Sequence, residues 1–568
     1  MFAPRGTIAP ADLERGTKRL VSRGPDGQQQ WIAPHGRAGL GHARLSIIDL
    51  QTGTQPIANE DGSAHIVVNG ELYDYERIQR ELESRGHRLR TRSDSEIALH
   101  LYEELGAGCL QQLRGEFAFA IWDERNQTLF AARDRFGIKP LFYATHAGTL
   151  YIASEVKALF AAGVPARWNR EINFALTMGA HPTETLFDGV SQVPPGHYLV
   201  ATSGYMHLHR YWDFDYPEAA APPRFRDDRE CAERLRDALD EAVRLRLRAD
   251  VPVGCYLSGG LDSSAVIGLA SRHHREPIRA FTLTFDREDY DEGPIAREMA
   301  ALAGAEFYPI PIKQSDLADN FFDATAYAEV MCLNAHGVAK YILSDAVRKA
   351  GYKVVLTGEG SDEVLGGYPH FRRDMLLYDN GGQDQREVGA LLQQLENMNS
   401  VSRGLLMPDG EAIPTDSVTR RLGFTPSWME IFAGSAFKVR ALFNEGYAAK
   451  MEKRDLFKGL LDSIDVSGQL AGRAPVHQSL YLWGKSALPN YILTTLGDRM
   501  EMAHSVEGRL PFLDHHVVEL LCTMPINQKI RGMTEKYVLR EAARDVITDT
   551  VYRRQKHPFL SPPATLDP

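Results

Sequence analysis

Cysteine is scarce in this chain. There are five in 568 residues, at positions 109, 231, 255, 332 and 522. They are too scattered for a disulfide framework, and no CxxC pair offers zinc-site spacing. An excess of basic charge is also missing. With 75 acidic against 64 basic residues and a formal net charge of -11, the electrostatic footprint of non-specific nucleic-acid binding is absent. No run of eighteen apolar residues exists, so no helical bilayer span is expected. The opening Met1-Phe2-Ala3-Pro4-Arg5-Gly6 lacks the apolar stretch of a signal peptide. What is present is a 43% apolar chain, long enough for two or three cored domains at roughly 100–200 residues each. The composition points to a soluble, cytoplasmic, multidomain enzyme with neither nucleic acid nor membrane as partner.

The first ~200 residues read as short strands broken by turn residues, with a few helices between them. Strands are expected at 64–68 (ending at Asn69-Gly70), 116–122, 128–132, 141–144 and 198–200, and helices at 75–86 and 95–105. The proline- and alanine-rich stretch 216–224 reads as linker. Beyond 227 the texture changes to amphipathic helices alternating with brief apolar runs. A helix at 230–248 and strands at 253–257, 278–285 and 352–356, with helices between, are the pattern of a parallel sheet built from βαβ crossovers. After ~370 the chain reads as mainly helical, and 404–414 has no clear assignment. The expected division is 1–205, a linker at 206–226, and 227–568.

Two segments carry most of the chemistry. The first is Leu257 followed by SGGLDSS at 258–264, placed after an apolar strand and before a helix. That position offers backbone N–H groups and a favourable dipole to an anion. Gly259 and Gly260 allow close backbone approach, and Ser258, Ser263 and Ser264 supply hydroxyls. Asp262 adds a hard carboxylate suited to Mg²⁺. A Walker loop is excluded, since GxxxxGK[ST] is absent. The second segment, Leu356-Thr357 followed by GEGSDEVLGGY at 358–368, also follows an apolar strand. Ligands of open parallel sheets sit at the carboxyl ends of strands, so both loops should face one pocket. There Asp262 and Asp362 would share Mg²⁺, and Glu359 and Glu363 would line the acceptor side. The blander readings are an ordinary β-turn-α corner and a solvated acidic loop; agreement between the two segments argues against both.

SGGLDSS resembles the pyrophosphate loop of ATP pyrophosphatases. Together with GEGSDEVLGGY and DRMEMAHSVEGRLPFLD at 498–514, it resembles glutamine-dependent asparagine synthetase, over about residues 7–558. The resemblance implies an α+β sandwich like the N-terminal-nucleophile hydrolases. An α/β parallel-sheet ATP-pyrophosphatase domain with a helical C-terminal extension would follow it. It also implies activation of a carboxylate by ATP to an acyl-adenylate, then attack of ammonia. Residue by residue, Leu257, Leu283, Thr357 and Gly358 match adenine and ribose contacts, and Ser258, Gly260, Asp262, Ser263 and Ser264 match pyrophosphate and metal positions. Glu359 matches the residue linked to adenylate formation, and Lys536, within EKYVLR at 535–540, the lysine near the adenylate phosphates. Without the resemblance, Lys536 would read as surface charge on a helix. A homodimer and an ammonia tunnel between the domains are further family expectations.

The first domain resembles the class II glutaminases through RGPDG (23–27), GHARLSIID (41–49), VNGELY (68–73), RSDSE (92–96), AARDRFGIKPL (131–141) and ASEVK (153–157). The resemblance implies that Arg44 and Asp94 hold the carboxylate and amine of glutamine. Asn69 and Gly70 would form the oxyanion hole, and Glu71 would assist binding. A zwitterionic substrate requires one cation and one anion, and a tetrahedral intermediate requires donors. The family opens Met-Cys-Gly-Ile, its cysteine being the nucleophile; this sequence opens Met1-Phe2 and has no cysteine before Cys109, which reads as a packed thiol. Three expectations follow: a start upstream of Met1, use of free ammonia, or use of a substrate amine as in the cysteine-less β-lactam synthetases.

The acceptor acid is expected between the ATP loops and residues 332–340. Asparagine synthetases commonly carry Ser/Thr-rich and Pro-containing residues there, some with an arginine to pair the aspartate α-carboxylate. This chain instead offers Asn334, His336 and Lys340. The expected reaction is conversion of L-aspartate to L-asparagine with glutamine or ammonia, using ATP and Mg²⁺. The rivals are another acid in secondary-metabolite or polysaccharide assembly, a β-lactam-synthetase-like reaction, and a non-catalytic nucleotide binder. The role of residues 387–451 is not readable from sequence.

Overall fold

The computed structural model describes every residue except 170–180, 223, 288–289, 333, 399–406, 409, 452–454, 557–560 and 563–568. Residues 404–406 and 409 of the unassigned stretch at 404–414, and most of the proline-bearing tail, lie outside the described residues.

In the first domain, alternation builds the layers. Along the strand Arg114–Asp123, Phe117, Phe119 and Ile121 point to one face and Ala118, Ala120 and Trp122 to the other, as the period of two requires. The first set packs with Ile78 and Leu82 of the helix Tyr75–Ser84 and Ile97 of the helix Glu96–Leu105. The second packs with Phe2, Leu40 and Leu141. The central sheet has six strands; Arg114–Asp123 pairs antiparallel with Ala64–Tyr73 and Thr128–Arg133. A three-stranded sheet centred on Phe142–His146 covers its second face, and the helices Pro10–Lys18 and Val156–Ala161 cover that in turn. The result is a helix–sheet–sheet–helix sandwich.

The strand expected to stop at Asn69-Gly70 runs on to Tyr73, with Asn69 opposite Ala118 and Gly70 opposite Phe117. Gly70 is required there by close approach rather than by a turn. Its φ is +132°, and a Cβ at this position would lie 1.9 Å from the Glu116 carbonyl oxygen. The 206–226 span is not all linker, because Met206–Arg210 pairs with His197–Ala201 and completes the six-stranded sheet. Tyr216 then stacks on His477 at 4.8 Å.

The second domain is a five-stranded parallel sheet. Its order is Glu306–Ile312, Arg279–Phe285, Val253–Tyr256, Val354–Leu356, Glu507–Arg509. The three strands expected from sequence are its centre, and the two edges are additional. Helices follow each central strand, and the chain beyond 368 is predominantly helical. The helix Asp228–Arg246 packs on Leu261–His273 and Tyr537–Ala543. One continuous apolar core includes Ile121 and Phe136 of the first domain, Phe214 of the connection, and Leu235 and Leu482 of the second. Among the described residues no helix is long and apolar enough to cross a membrane.

Candidate functional site

The strand Val253–Tyr256 ends in the serine–glycine turn, and the helix Leu261–His273 starts from it. The turn is tied internally. The Ser263 hydroxyl accepts from the Ser258 amide at 3.1 Å and lies 3.1 Å from the Ser258 hydroxyl, which accepts from the Gly260 amide at 3.3 Å. Gly259 has φ +73° and lies against the start of the helix Gly293–Leu302: its Cβ would be 3.0 Å from the Ala296 amide nitrogen. The buried Ser264 hydroxyl has no hydrogen-bond partner among the described residues, a donor held in reserve. Val354–Leu356 is the hydrogen-bonded neighbour of Val253–Tyr256, so the two strand-end loops emerge side by side. A Cβ on Gly358 would lie 2.7 Å from the Ser263 amide nitrogen, and the Ser361 hydroxyl donates to Asp262 Oδ1 at 2.7 Å.

The structure brings Asp262, Asp362 and Lys536 to one point. Lys536 Nζ lies 2.6 and 2.7 Å from the Asp262 carboxylate oxygens and 2.6 Å from Asp362 Oδ1. Lys536 is not on a helix, as the sequence suggested, but immediately before Tyr537–Ala543, at φ +51° and ψ +40°. A non-glycine residue in the left-handed region is locally strained, and from this position the ammonium group reaches both carboxylates. Gly367 makes room for it, since a Cβ there would lie 2.0 Å from Asp362 Oδ1 and 2.1 Å from Lys536 Cε. Lys556 was missed by the sequence reading. Its Nζ reaches Asp362 Oδ2 at 2.6 Å and Asp262 Oδ2 at 3.3 Å. Arg554 bridges Glu292 at 2.7 Å and the Gly259 carbonyl at 3.3 Å, so the C-terminal segment closes over the turn. No local signal marks these tail residues; only the chain's return to the sheet reveals them.

Burial opposes ionisation of Asp262, but Lys536 and Lys556 outweigh it and hold the carboxyl well below its ordinary range. Burial likewise works against the Lys556 ammonium, and Asp362 and Asp262 reverse the balance and raise it. Asp262 is therefore ionised, and both carboxylates already converge on cations. Two hard oxygen donors meeting at one cation position fit Mg²⁺, and the neighbouring lysines fit phosphate oxygens.

Leu257 and Leu283 are buried at the ends of their strands, and the Thr357 amide donates to the Arg509 carbonyl at 3.0 Å. Glu359 is held by Lys340, whose Nζ lies 2.6 Å from Glu359 Oε1 and 3.9 Å from Glu501 Oε1. Burial, only partly offset by Lys340, raises the Glu501 carboxyl to about 8. Glu363 is pushed up to about 7 by burial and by Asp362, and accepts from the Tyr368 hydroxyl at 2.7 Å. Asn334 Nδ2 donates to the Tyr491 hydroxyl at 2.9 Å, and burial drops the His336 imidazole to about 4.

The first domain encloses a cavity of about 190 Å³ whose walls include Arg44, Asn69, Gly70, Glu71 and Asp94. A single water needs only about 10–15 Å³, so this is a ligand-sized chamber. The Arg44 guanidinium bonds the Asp49 carbonyl. Asp94 accepts from the Leu72 amide at 2.8 Å and from the Ser93 hydroxyl at 3.2 Å, and burial raises it to about 6. Glu71 is committed elsewhere: its carboxylate is 2.9 Å from Arg509 Nη2, across the domain boundary. Met1 is also a wall of the chamber; its amine donates to the Gly39 carbonyl at 2.8 Å and burial lowers it to about 5. Cys109 is buried in the helix Cys109–Gln112, away from the chamber walls, and burial raises its thiol to about 12.

Met502 and Glu507 of the second domain also wall the chamber, and buried ion pairs lock the two halves around it. Arg23 meets Asp498 through two bonds of 2.7 and 2.8 Å and Glu155 at 3.1 Å. Arg499 reaches Glu155 at 3.3 Å and Glu329 at 3.0 Å. Arg246 joins Glu116 at 3.0 Å and Asp514 at 2.8 Å. Arginines of the motifs at 23–27 and 498–514 thus hold the domains together.

This combination defines a glutamine amidotransferase domain joined to an ATP-dependent synthetase. The asparagine synthase family model matches residues 234–566, and the glutamine amidotransferase domain model matches residues 4–212. The chain belongs to the asparagine synthase family and is a ligase of the glutamine-hydrolysing asparagine synthetase type. It is 36% identical to the amidase chry2 of Gibberella zeae, over 97% of this chain and 85% of that one. It is 34% identical to the amidase chyE of Penicillium rubens, over 97% and 84%. It is 29% identical to asparagine synthetase 3 of Bacillus subtilis, over 96% and 83%.

Proposed function

We propose that this chain couples ATP cleavage to AMP and pyrophosphate with amidation of a carboxylic acid. L-aspartate is the acceptor, and glutamine or ammonia the nitrogen donor. The observation that carries the reading is the convergence of Lys536 and Lys556 on Asp262 and Asp362 at the mouth of the serine–glycine turn. In the first step a carboxylate oxygen of the acid attacks the α-phosphorus of ATP, and the bond to the bridging oxygen breaks. The developing charge on pyrophosphate falls beside the turn amides, the serine hydroxyls and the two ammonium groups, where preorganised donors stabilise it. In the second step ammonia attacks the acyl carbon and AMP leaves with the electrons of the C–O bond. The surplus proton passes from nitrogen to a carboxylate, a role Glu359 can take. Asp262 and Asp362 would hold Mg²⁺, which when bound neutralises phosphate charge.

A second reading, amidation of an acid other than aspartate, is favoured by Lys340. This cation sits where an acceptor group would be read and is engaged by Glu359 beside Glu501. Two relatives more similar than the Bacillus synthetases are named amidases. Acid-dependent exchange of labelled pyrophosphate into ATP tests both readings. Exchange with aspartate supports the first, and exchange only with another acid supports the second. ADP and phosphate as products would refute the adenylate route.

The same proposal assigns the chamber to glutamine, with Arg44 on its carboxylate and Asp94 on its ammonium. Asp94 must be ionised to attract an ammonium, and in the free protein it gains its proton as the pH falls through about 6. Glutamine affinity measured by calorimetry is therefore expected to weaken as pH drops below that value, and Arg44→Ala to weaken it at every pH. A dissociation constant flat across this range would remove Asp94 from the assignment.

A further inference from the structure

Away from the chamber, the outer edge of the first domain gathers two histidines and two glutamates around one point. Glu60 lies between the strands Ile57–Ala58 and Ala64–Tyr73, His87 follows the helix Tyr75–Ser84, and His100 and Glu103 share a face of Glu96–Leu105 at i,i+3 spacing. One ligand atom from each of the four falls within 4.8 Å of all the others. His87 Nδ1 lies 3.2 Å from Glu60 Oε1. His100 Nδ1 lies 2.9 Å from Glu103 Oε2 and 3.7 Å from Glu60 Oε2. Ligands at about 2.0–2.2 Å from a tetrahedral zinc stand roughly 3.3 Å apart, so the observed separations bracket those of a coordination shell.

The outer ring of contacts supports the same conclusion. His100 Nε2 faces Glu96 Oε1 at 3.3 Å, and Glu96 is itself fixed by the amides of Arg90 and Thr91, both at 2.7 Å. His87 Nε2 faces Glu104 Oε1 at 3.3 Å, with Arg85 on the other oxygen of Glu104 at 2.6 Å. Each imidazole therefore has a carboxylate behind it and its Nδ1 directed inward, the arrangement that sets the tautomer and orientation of metal-ligating histidines. The ligand carboxylates are oriented as well. Asn59 Nδ2 donates to Glu103 Oε1 at 2.6 Å, and the Arg88 amide donates to Glu60 Oε1 at 2.9 Å. An ordinary surface ion pair has no need of second partners on all four groups.

We propose that Glu60, His87, His100 and Glu103 form a structural site for a divalent transition cation, zinc being the class favoured by mixed nitrogen and carboxylate ligands. The clip joins the 59–63 turn, the 85–95 loop and the helix that follows. That loop carries Ser93, Asp94 and Ser95, three walls of the chamber. The site would thus stiffen the segment that presents Asp94. The inference stands whether or not glutamine is what the chamber holds.

The experiment uses the full chain, freed of any affinity tag and stripped with a chelator, then titrated with Zn²⁺ by calorimetry. Metal content after gel filtration is counted for the wild type, His87→Gln and Glu103→Gln. His87→Gln alters a partly buried loop position outside the apolar core and should leave the fold intact by circular dichroism. The expected result is one tightly held zinc per wild-type chain that His87→Gln loses, with slower amide exchange at 85–95 when metal is present. Failure of the wild type to retain zinc would overturn the proposal. So would unchanged stoichiometry in a folded His87→Gln chain, leaving the cluster as an ion-pair network around a protonated His100.

Discussion

Asp262→Asn should lower acid-dependent ATP–pyrophosphate exchange by about 10²–10³-fold, the size of loss seen when one preorganised electrostatic group is removed from a reaction centre. The amide keeps the volume and the acceptor for the Ser361 hydroxyl but removes the charge that Lys536 and Lys556 meet at 2.6–3.3 Å. Two ammonium groups would then face Asp362 alone, and the cation position shared by the carboxylates would lose half its oxygen charge. Because the change also removes a charge from a buried ion-pair cluster, some loss of stability is expected, and the exchange rate is compared on protein shown to be folded. Full exchange in a folded Asp262→Asn protein would separate Asp262 from the phosphates. Lys536→Ala should cause a loss of the same order, since it removes the ammonium group that meets both carboxylates.

Arg23→Met is expected to cost about 3–5 kcal/mol of stability in the first unfolding transition, the usual consequence of leaving a buried charge without its partner. Asp498 and Glu155 would both lose Arg23 while remaining buried. The pH dependence has a definite sign. Burial opposes ionisation of Asp498, but Arg23 prevails and depresses its pKa. The contribution is therefore present above the unfolded carboxyl value of about 3.8 and lost as pH falls through the lower folded value. Without Arg23 the depression of the Asp498 pKa shrinks, although Lys139 and Arg499 still favour its charged form. The variant should therefore lose less stability than the wild type as pH is lowered into the acidic range. Denaturant unfolding at several pH values measures this. A variant within about 1 kcal/mol of wild type would mean the pair is as weak as a surface bridge. The double variant Arg23→Met, Asp498→Leu should recover much of the loss, because no orphaned Asp498 carboxylate remains.

Much of the architecture was legible because period and punctuation are local. Phe117, Phe119 and Ile121 alternate with Ala118, Ala120 and Trp122, which marks a strand with one buried face; the second face is buried as well only because another sheet packs on it. The strands around 255, 281 and 355 are apolar runs separated by helices, which leaves parallel pairing as the solution. Gly70 was misread for an equally local reason: asparagine–glycine is a turn signal, and only the Glu116 carbonyl on the neighbouring strand explains the glycine. The short edge strand Glu507–Arg509 has no period of its own to read.

Residue order alone determined the two-domain organisation, the strand-end position of 258–264 and 358–368, and the acidic and hydroxyl chemistry of those loops. Each depends on neighbours within a few positions. The folded chain decided the rest: Lys556 and Arg554 closing the phosphate corner, Glu71 turned toward Arg509, Lys340 on Glu359, and Arg23 reaching Asp498. These partners are separated by 19 to 475 positions in the chain. A charge so far from its counter-ion in sequence reads as solvated surface until the fold removes the water between them.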